Sequence, residues 1–151
     1  MQLIIKINIW SLLLSLLFIF QLSSQEKFLS LKKNKVNVRY GPSFQSEIKY
    51  VYYKINLPIK QIDKKENFRR IVDLKNNSGW IHVSQLTKSN SIIILENKIL
   101  FKKPSSLSKP IARLEKGRLL IVKKCENNWC NIKTDNYFGW IKTDNIWGSV
   151  K

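Results

Sequence analysis

Few residues in this chain have the type and spacing to do covalent chemistry. Its two cysteines, Cys125 and Cys130, flank the polar turn Glu126-Asn127-Asn128-Trp129. If extended segments enter and leave that turn, the cysteines face each other across a hairpin, at a separation that suits a disulfide. The first reading is therefore a Cys125–Cys130 disulfide. The loop it closes is tiny, so its chain-entropy contribution sits at the low end. Two alternatives stay open. One is a redox-active pair, although the C-x-x-C spacing is missing. The other is a small hydrolase using a free Cys130 thiol with His82, the one histidine of the chain, as its base. Two cysteines and one histidine do not complete a four-ligand zinc set. No metal or cofactor is expected. No G-x-S-x-G, P-loop or H-E-x-x-H motif occurs either. The chain reads as non-catalytic, so its aromatic and cationic residues become candidates for binding.

Aromatics are many: Tyr40, Tyr50, Tyr52, Tyr53, Trp80, Trp129 and Trp140 among them. Some must be core and others can line a groove for an extended ligand. Arg39, Tyr40, Trp80 and Trp140 are the expected ligand contacts, with Tyr40 and Trp80 the best placed. The formal net charge is +17. Such an excess attracts polyanions, including a cell-wall polymer or an anionic membrane surface. Lysine, asparagine and isoleucine also have A/T-rich codons, so base composition alone would produce much of it. The lysines are scattered rather than blocked.

The N-terminus explains where such a protein would work. Lys6 is followed by an almost wholly apolar stretch, 7–20, and then by Gln21, Ser23 and Ser24. This is the plan of a secretory signal, read as 1–24. The stretch is short for a membrane span, although an uncleaved segment would anchor the protein to the inner membrane. Export to the periplasm suits a disulfide and argues against nucleic acid as a partner.

The rest of the chain repeats itself. Ser78-Gly79-Trp80-Ile81-His82 matches Phe138-Gly139-Trp140-Ile141-Lys142, and Tyr40-Gly41-Pro42-Ser43 matches Lys102-Lys103-Pro104-Ser105. The offset stays near about 60 residues, which sets repeat one at 34–88 and repeat two at 96–148. Within each, short runs of Val, Ile, Tyr, Phe and Trp alternate with Gly, Asn and Pro turns, which predicts strands. Repeat one offers 36–40, 48–53, 57–62, 68–74 and 80–83. Repeat two offers 99–101, 111–114, 119–124, 129–134 and 137–142. No stretch keeps a capped 3.6-residue period. The apolar run 92–95 is expected as a covered edge strand crossing between the repeats.

Val36-Asn37-Val38-Arg39-Tyr40-Gly41-Pro42-Ser43 resembles the opening motif of bacterial SH3 domains, N-[VI]-R-x-G-P-[ST]. The two Gly-Trp-Ile segments resemble the end of the same domain. Repeat two keeps Pro104-Ser105 and Gly139-Trp140 but lacks the Asn, Arg and Gly of the opening. Its cysteine turn and its closing Asn145-Ile146-Trp147-Gly148 resemble a family of exported tandem SH3-like proteins of alphaproteobacteria. The resemblance implies an all-β fold, two tandem SH3-like small β-barrels after an N-terminal signal helix. It also implies a partner such as peptidoglycan, a peptide or an envelope protein. The competing expectation is a structural component of an exported assembly. Asn37, Gly41, Pro42, Gly79 and Gly139 are expected to shape the backbone. Gly41 would supply unusual dihedrals and Pro42 a fixed φ. Asn37 and Arg39 would hydrogen-bond the loop.

Overall fold

The computed structural model describes residues 27–150. The expected signal segment, 1–24, lies outside them. The short β-branched runs form β1 (Lys27–Leu31), β2 (Val36–Arg39), β3 (Ile48–Tyr52), β4 (Pro58–Lys65), β5 (Phe68–Val72) and β6 (Ser78–His82). A 3-10 turn, Val83–Gln85, leads to β7 (Leu86–Lys88). The second set is β8 (Ser91–Ile94), β9 (Lys98–Phe101), β10 (Pro110–Leu114), β11 (Leu119–Glu126), β12 (Trp129–Thr134), β13 (Tyr137–Lys142) and β14 (Ile146–Gly148).

The strands form two antiparallel sheets, ordered β3-β2-β6-β5-β4-β1-β7 and β10-β9-β13-β12-β11-β8-β14. Adding seven to each label of the first order produces the second. The sequence repeat is therefore a repeat of topology. Even the irregularities recur: the register shifts between Gln61 and Asp63 in one sheet and between Val122 and Lys124 in the other. Such bulges bend a strand and raise its twist.

Each sheet curls around its own core. Leu31, Val36, Val38, Ile59, Ile71, Ile81 and Leu86 fill the first, drawn from six of its seven strands, with Tyr50 and Tyr52 of β3 packed against them. Ile92, Ile94, Leu100, Leu114, Leu120, Cys130, Ile132 and Ile141 fill the second. Closure needs close approach at one point in each barrel. A Cβ on Gly79 would clash with the Val38 side chain and lie 3.0 Å from Arg39 O. On Gly139 it would lie 2.7 Å from Phe101 O and 2.8 Å from Leu100 Cγ. Both glycines let the Gly-Trp-Ile strand cross the opening strand. Four of the other tight turns fall to asparagine. Asn56, Asn76, Asn127 and Asn145 all hold positive φ, from 47° to 62°, a conformation asparagine tolerates better than most residues.

β8 corrects one expectation. Ser91–Ile94 is not an edge strand: β11 pairs on one side and β14 on the other. All four of its residues are buried. Side chains on a strand alternate faces, so both faces are covered. Ile92 and Ile94 enter the second core, while the opposite face and β14 lie against β4 of the first repeat.

The two repeats are joined by specific bonds. Trp147 Nε1 donates to Pro58 O at 3.0 Å, and its ring meets Phe28 edge-on at 5.1 Å. Ser91 Oγ donates to Asn56 O at 2.6 Å. Ser30 Oγ lies 2.8 Å from Ser91 Oγ and also reaches Ser89 Oγ at 3.3 Å. Ser30 and Ser91 are both fully buried.

Candidate functional site

The opening motif ends β2 at Arg39 and enters a loop. Arg39 Nη1 donates to Ser46 O at 2.6 Å and ties the loop closed. Asn37 contributes its main chain, whose N–H donates to Gln85 Oε1 at 3.3 Å. No side-chain bond from Asn37 to the loop forms among the described residues. Gly41 does not use a left-handed φ. Its missing side chain matters because a Cβ would lie 2.6 Å from Ser46 Oγ.

β2, β6 and β5 are adjacent, and register places Arg39 opposite Trp80 and Trp80 opposite Arg70. The indole is thus bracketed by two guanidinium residues on the outer face of the sheet. Tyr40 and Lys49 complete an open recess of ≈ 300 Å³, floored by Ser78 and Gly79. Tyr40 is 64% exposed. Lys49 Nζ donates to Ser78 O at 2.9 Å and sits 5.6 Å from the centre of the Tyr40 ring. Three of the four residues expected to touch ligand, Arg39, Tyr40 and Trp80, therefore meet in one place.

The turn that delivers Ser78 and Gly79 is built on Asp73. Its Oδ1 accepts from Lys75 N at 2.8 Å and Asn77 N at 2.9 Å. Its Oδ2 accepts from Tyr52 Oη at 2.9 Å and Asn77 Nδ2 at 3.0 Å. Burial pushes the Asp73 carboxyl up, but the donors from Asn77, Tyr52 and Lys75 outweigh it and hold the group below the usual range. Burial also pushes the Tyr52 phenol well up, helped by Tyr50 and Asp73. Tyr52 stays a donor.

Trp140 has a different environment. It is 8% exposed, Lys124 Nζ lies over it at 5.0 Å, and its cross-strand neighbours are Phe101 and Asn131. The expected contact at Trp140 is closed off. The second repeat opens elsewhere, in a groove of ≈ 880 Å³. The loop Pro104–Leu107 forms one wall, the β11–β12 turn with Asn128 and Trp129 the other, and Lys142, Thr143 and Asp144 the base. Leu107 is 98% exposed at its lip. Burial pushes Asp144 up, but its own backbone N–H and the Lys98 ammonium outweigh that and hold the carboxyl below the usual range. Lys142 and Asp144 give this groove both signs of charge.

In the first repeat a half-exposed aromatic ring stands across the same place. Phe44 stands where the second repeat has Ser106, as the matching loop bonds show: Tyr40 N to Glu47 O pairs with Lys102 N to Lys109 O, and Ser46 N to Ser43 O with Ser108 N to Ser105 O. The Phe44 ring packs 5.3 Å from Phe68 and 4.8 Å from His82. His82 Nδ1 lies 2.9 Å from Ser84 Oγ. His82 is thus an aromatic wall at the position that Lys142 holds in the second repeat.

Cys125 and Cys130 are directly opposed on β11 and β12 and form a disulfide, with Cα atoms 4.1 Å apart. Neither thiol is free, which removes the Cys–His reading. The matching pair in the first repeat is Lys64 and Arg69.

A bacterial SH3 domain model matches residues 32–88 and again 96–148. This chain belongs to the bacterial SH3 domain family. A search of the curated proteins finds no match. Two solved structures from Trichomonas vaginalis, NlpC2 and NlpC1, are similar over 82% of this chain, at 14% and 12% identity and a TM-score of 0.38 each. The chain spans 48% and 46% of their lengths. In this family member, Trp129, Leu107 and Asp144 went unpredicted as a site. The available signal was the small Ser106 at the place where Phe44 stands in repeat one.

Proposed function

We propose that this bacterial SH3 protein is a non-catalytic binding module, exported to the periplasm, that holds a peptidoglycan segment in the groove of its second repeat. The supporting observation is the open groove itself. It offers an aromatic wall in Trp129, an apolar lip in Leu107 and charges of both signs in Lys142 and Asp144. An extended peptide-bearing strand carries matching features: polar and charged groups for the serine, asparagine, threonine, lysine and aspartate lining, and an apolar face for Trp129 and Leu107. Bacterial SH3 domains often target peptidoglycan or a peptide, which supports the same reading.

The test is retention of the purified protein on isolated peptidoglycan across a salt series. Retention should survive physiological salt, because a desolvated aromatic contact is screened little. Trp129→Ala should weaken it about tenfold or more, as loss of an aromatic anchor does. Retention that disappears at modest salt and ignores Trp129→Ala would reduce the interaction to bulk charge. The exposed Leu107, Tyr137 and Phe138 favour one other reading, a protein partner in an envelope assembly. Crosslinking in cells separates the two: a discrete protein adduct favours assembly and a glycan adduct favours wall binding.

A further inference from the structure

The recess on the first repeat is a second site of different chemistry, and we propose that it binds an acidic saccharide. The ring lies on Trp80, and the acid group is held by Arg39, Lys49 and Arg70. The inference stands apart from the groove of the second repeat. It rests on three observations. First, the recess is lined by three cations and no carboxylate. Asp63 is the cross-strand neighbour of Arg70 on the far side, yet no ion pair joins them among the described residues. Second, the cations retain donors. Arg39 commits one N–H to Ser46 O and Lys49 one to Ser78 O, whereas a guanidinium has five donors and an ammonium three. Those two bonds also fix the side chains in place, which lowers the entropy lost on binding.

Third, the equivalent surface of the second repeat keeps the tryptophan but lacks both arginines. Phe101 stands for Arg39 and Asn131 for Arg70, and Lys124 covers Trp140. The two repeats have exchanged which surface is open. Repeat one sets Phe44 across its groove and exposes a cationic recess, whereas repeat two covers its tryptophan and opens its groove. General positive charge would not produce that division. An indole beside fixed cations suits a ring with an apolar face and an attached acid. The acid is a carboxylate or a phosphate, and either would be bidentate to a guanidinium.

Binding is measured by calorimetry on the purified protein with three probes at physiological salt. These are a galacturonate tetramer, mannose 6-phosphate and neutral chitotetraose. The acidic saccharides should bind and the neutral one should not; the stronger of the two acids identifies the group. Arg70→Gln and Lys49→Gln should each weaken binding about tenfold, while Lys116→Gln, an equal loss of charge in the other repeat, should change it less than twofold. Retention on peptidoglycan through Trp129 should persist in Arg70→Gln, so the two sites fail separately. Equal affinity for chitotetraose, equal loss from all three charge variants, or tighter binding of a thymidine oligonucleotide than of either acid would overturn the proposal.

Discussion

Asp73 is the residue on which the first repeat's turn depends, since four donors converge on its two oxygens. Asp73→Ala removes the shared acceptor of a half-buried phenol, an amide side chain and two backbone N–H groups. The expected cost is about 2–3 kcal/mol, measured by urea denaturation. The sign with pH follows from the carboxyl being held below its ordinary value of 3.8. A depressed acid stabilises the fold fully above the unfolded value and loses that contribution as pH falls through the folded one. The urea midpoint of the wild type should therefore drop below about pH 4, and Asp73→Asn should show a shallower acid limb. At the groove, one residue decides occupancy: Phe44 stands across it and Ser106 leaves it open. Ser106→Phe should abolish retention on peptidoglycan with unchanged thermal stability, because the loop is on the surface and the added ring has Trp129 to pack on.

Among the elements, the β11–β12 hairpin links the disulfide to the groove. The Cys125–Cys130 bond pins a turn whose Asn127 has φ 51° and whose next residues, Asn128 and Trp129, form a groove wall. A loop this short contributes about 2 kcal/mol in the chain-entropy view. Reduction should lower stability by that amount and weaken groove binding while sparing the recess of repeat one, which calorimetry under dithiothreitol would resolve. The hairpins were legible in the sequence because their strands are local: ten predicted runs reappear as strands with ends shifted by a few residues. β1, β7 and β14 went unassigned, and β8 was misplaced, because their partners are remote. Leu29 pairs with Lys88, and Ile94 with Ile146, contacts that no local pattern encodes. Arg39, Tyr40 and Trp80 share one recess, a proximity legible because they lie in or beside the two sequence motifs. Trp140 was misjudged because its exposure depends on Lys124, which arrives from another strand across a bulge. Asparagine abundance, readable as codon bias, also has a structural share in four left-handed turns.

For the whole molecule, the question is whether two small barrels act as one body. Each core is modest, seven or eight fully or nearly buried side chains, and units of this size are marginal alone. The junction adds what each lacks. It covers the outer face of β8, ties Ser30 to Ser91 and Ser91 to Asn56, and places Trp147 against Phe28 and Pro58. Trp147 contributes from both sides, since its strand pairs with β8 while its indole bonds to the first repeat. Removing the half-buried indole and its hydrogen bond should cost about 2–3 kcal/mol, concentrated at the junction rather than in either core. Calorimetry of the wild type should give one cooperative transition whose calorimetric and van't Hoff enthalpies agree. Trp147→Ala should split it into two, with the disulfide-free first repeat melting earlier. A single transition merely shifted downward would mean that the serine bonds and the β8 face suffice to couple the barrels. Because the recess lies within the first repeat and the groove within the second, Trp147→Ala should leave retention on peptidoglycan through Trp129 and binding of the short acidic saccharides both unchanged, even where the melting transition splits.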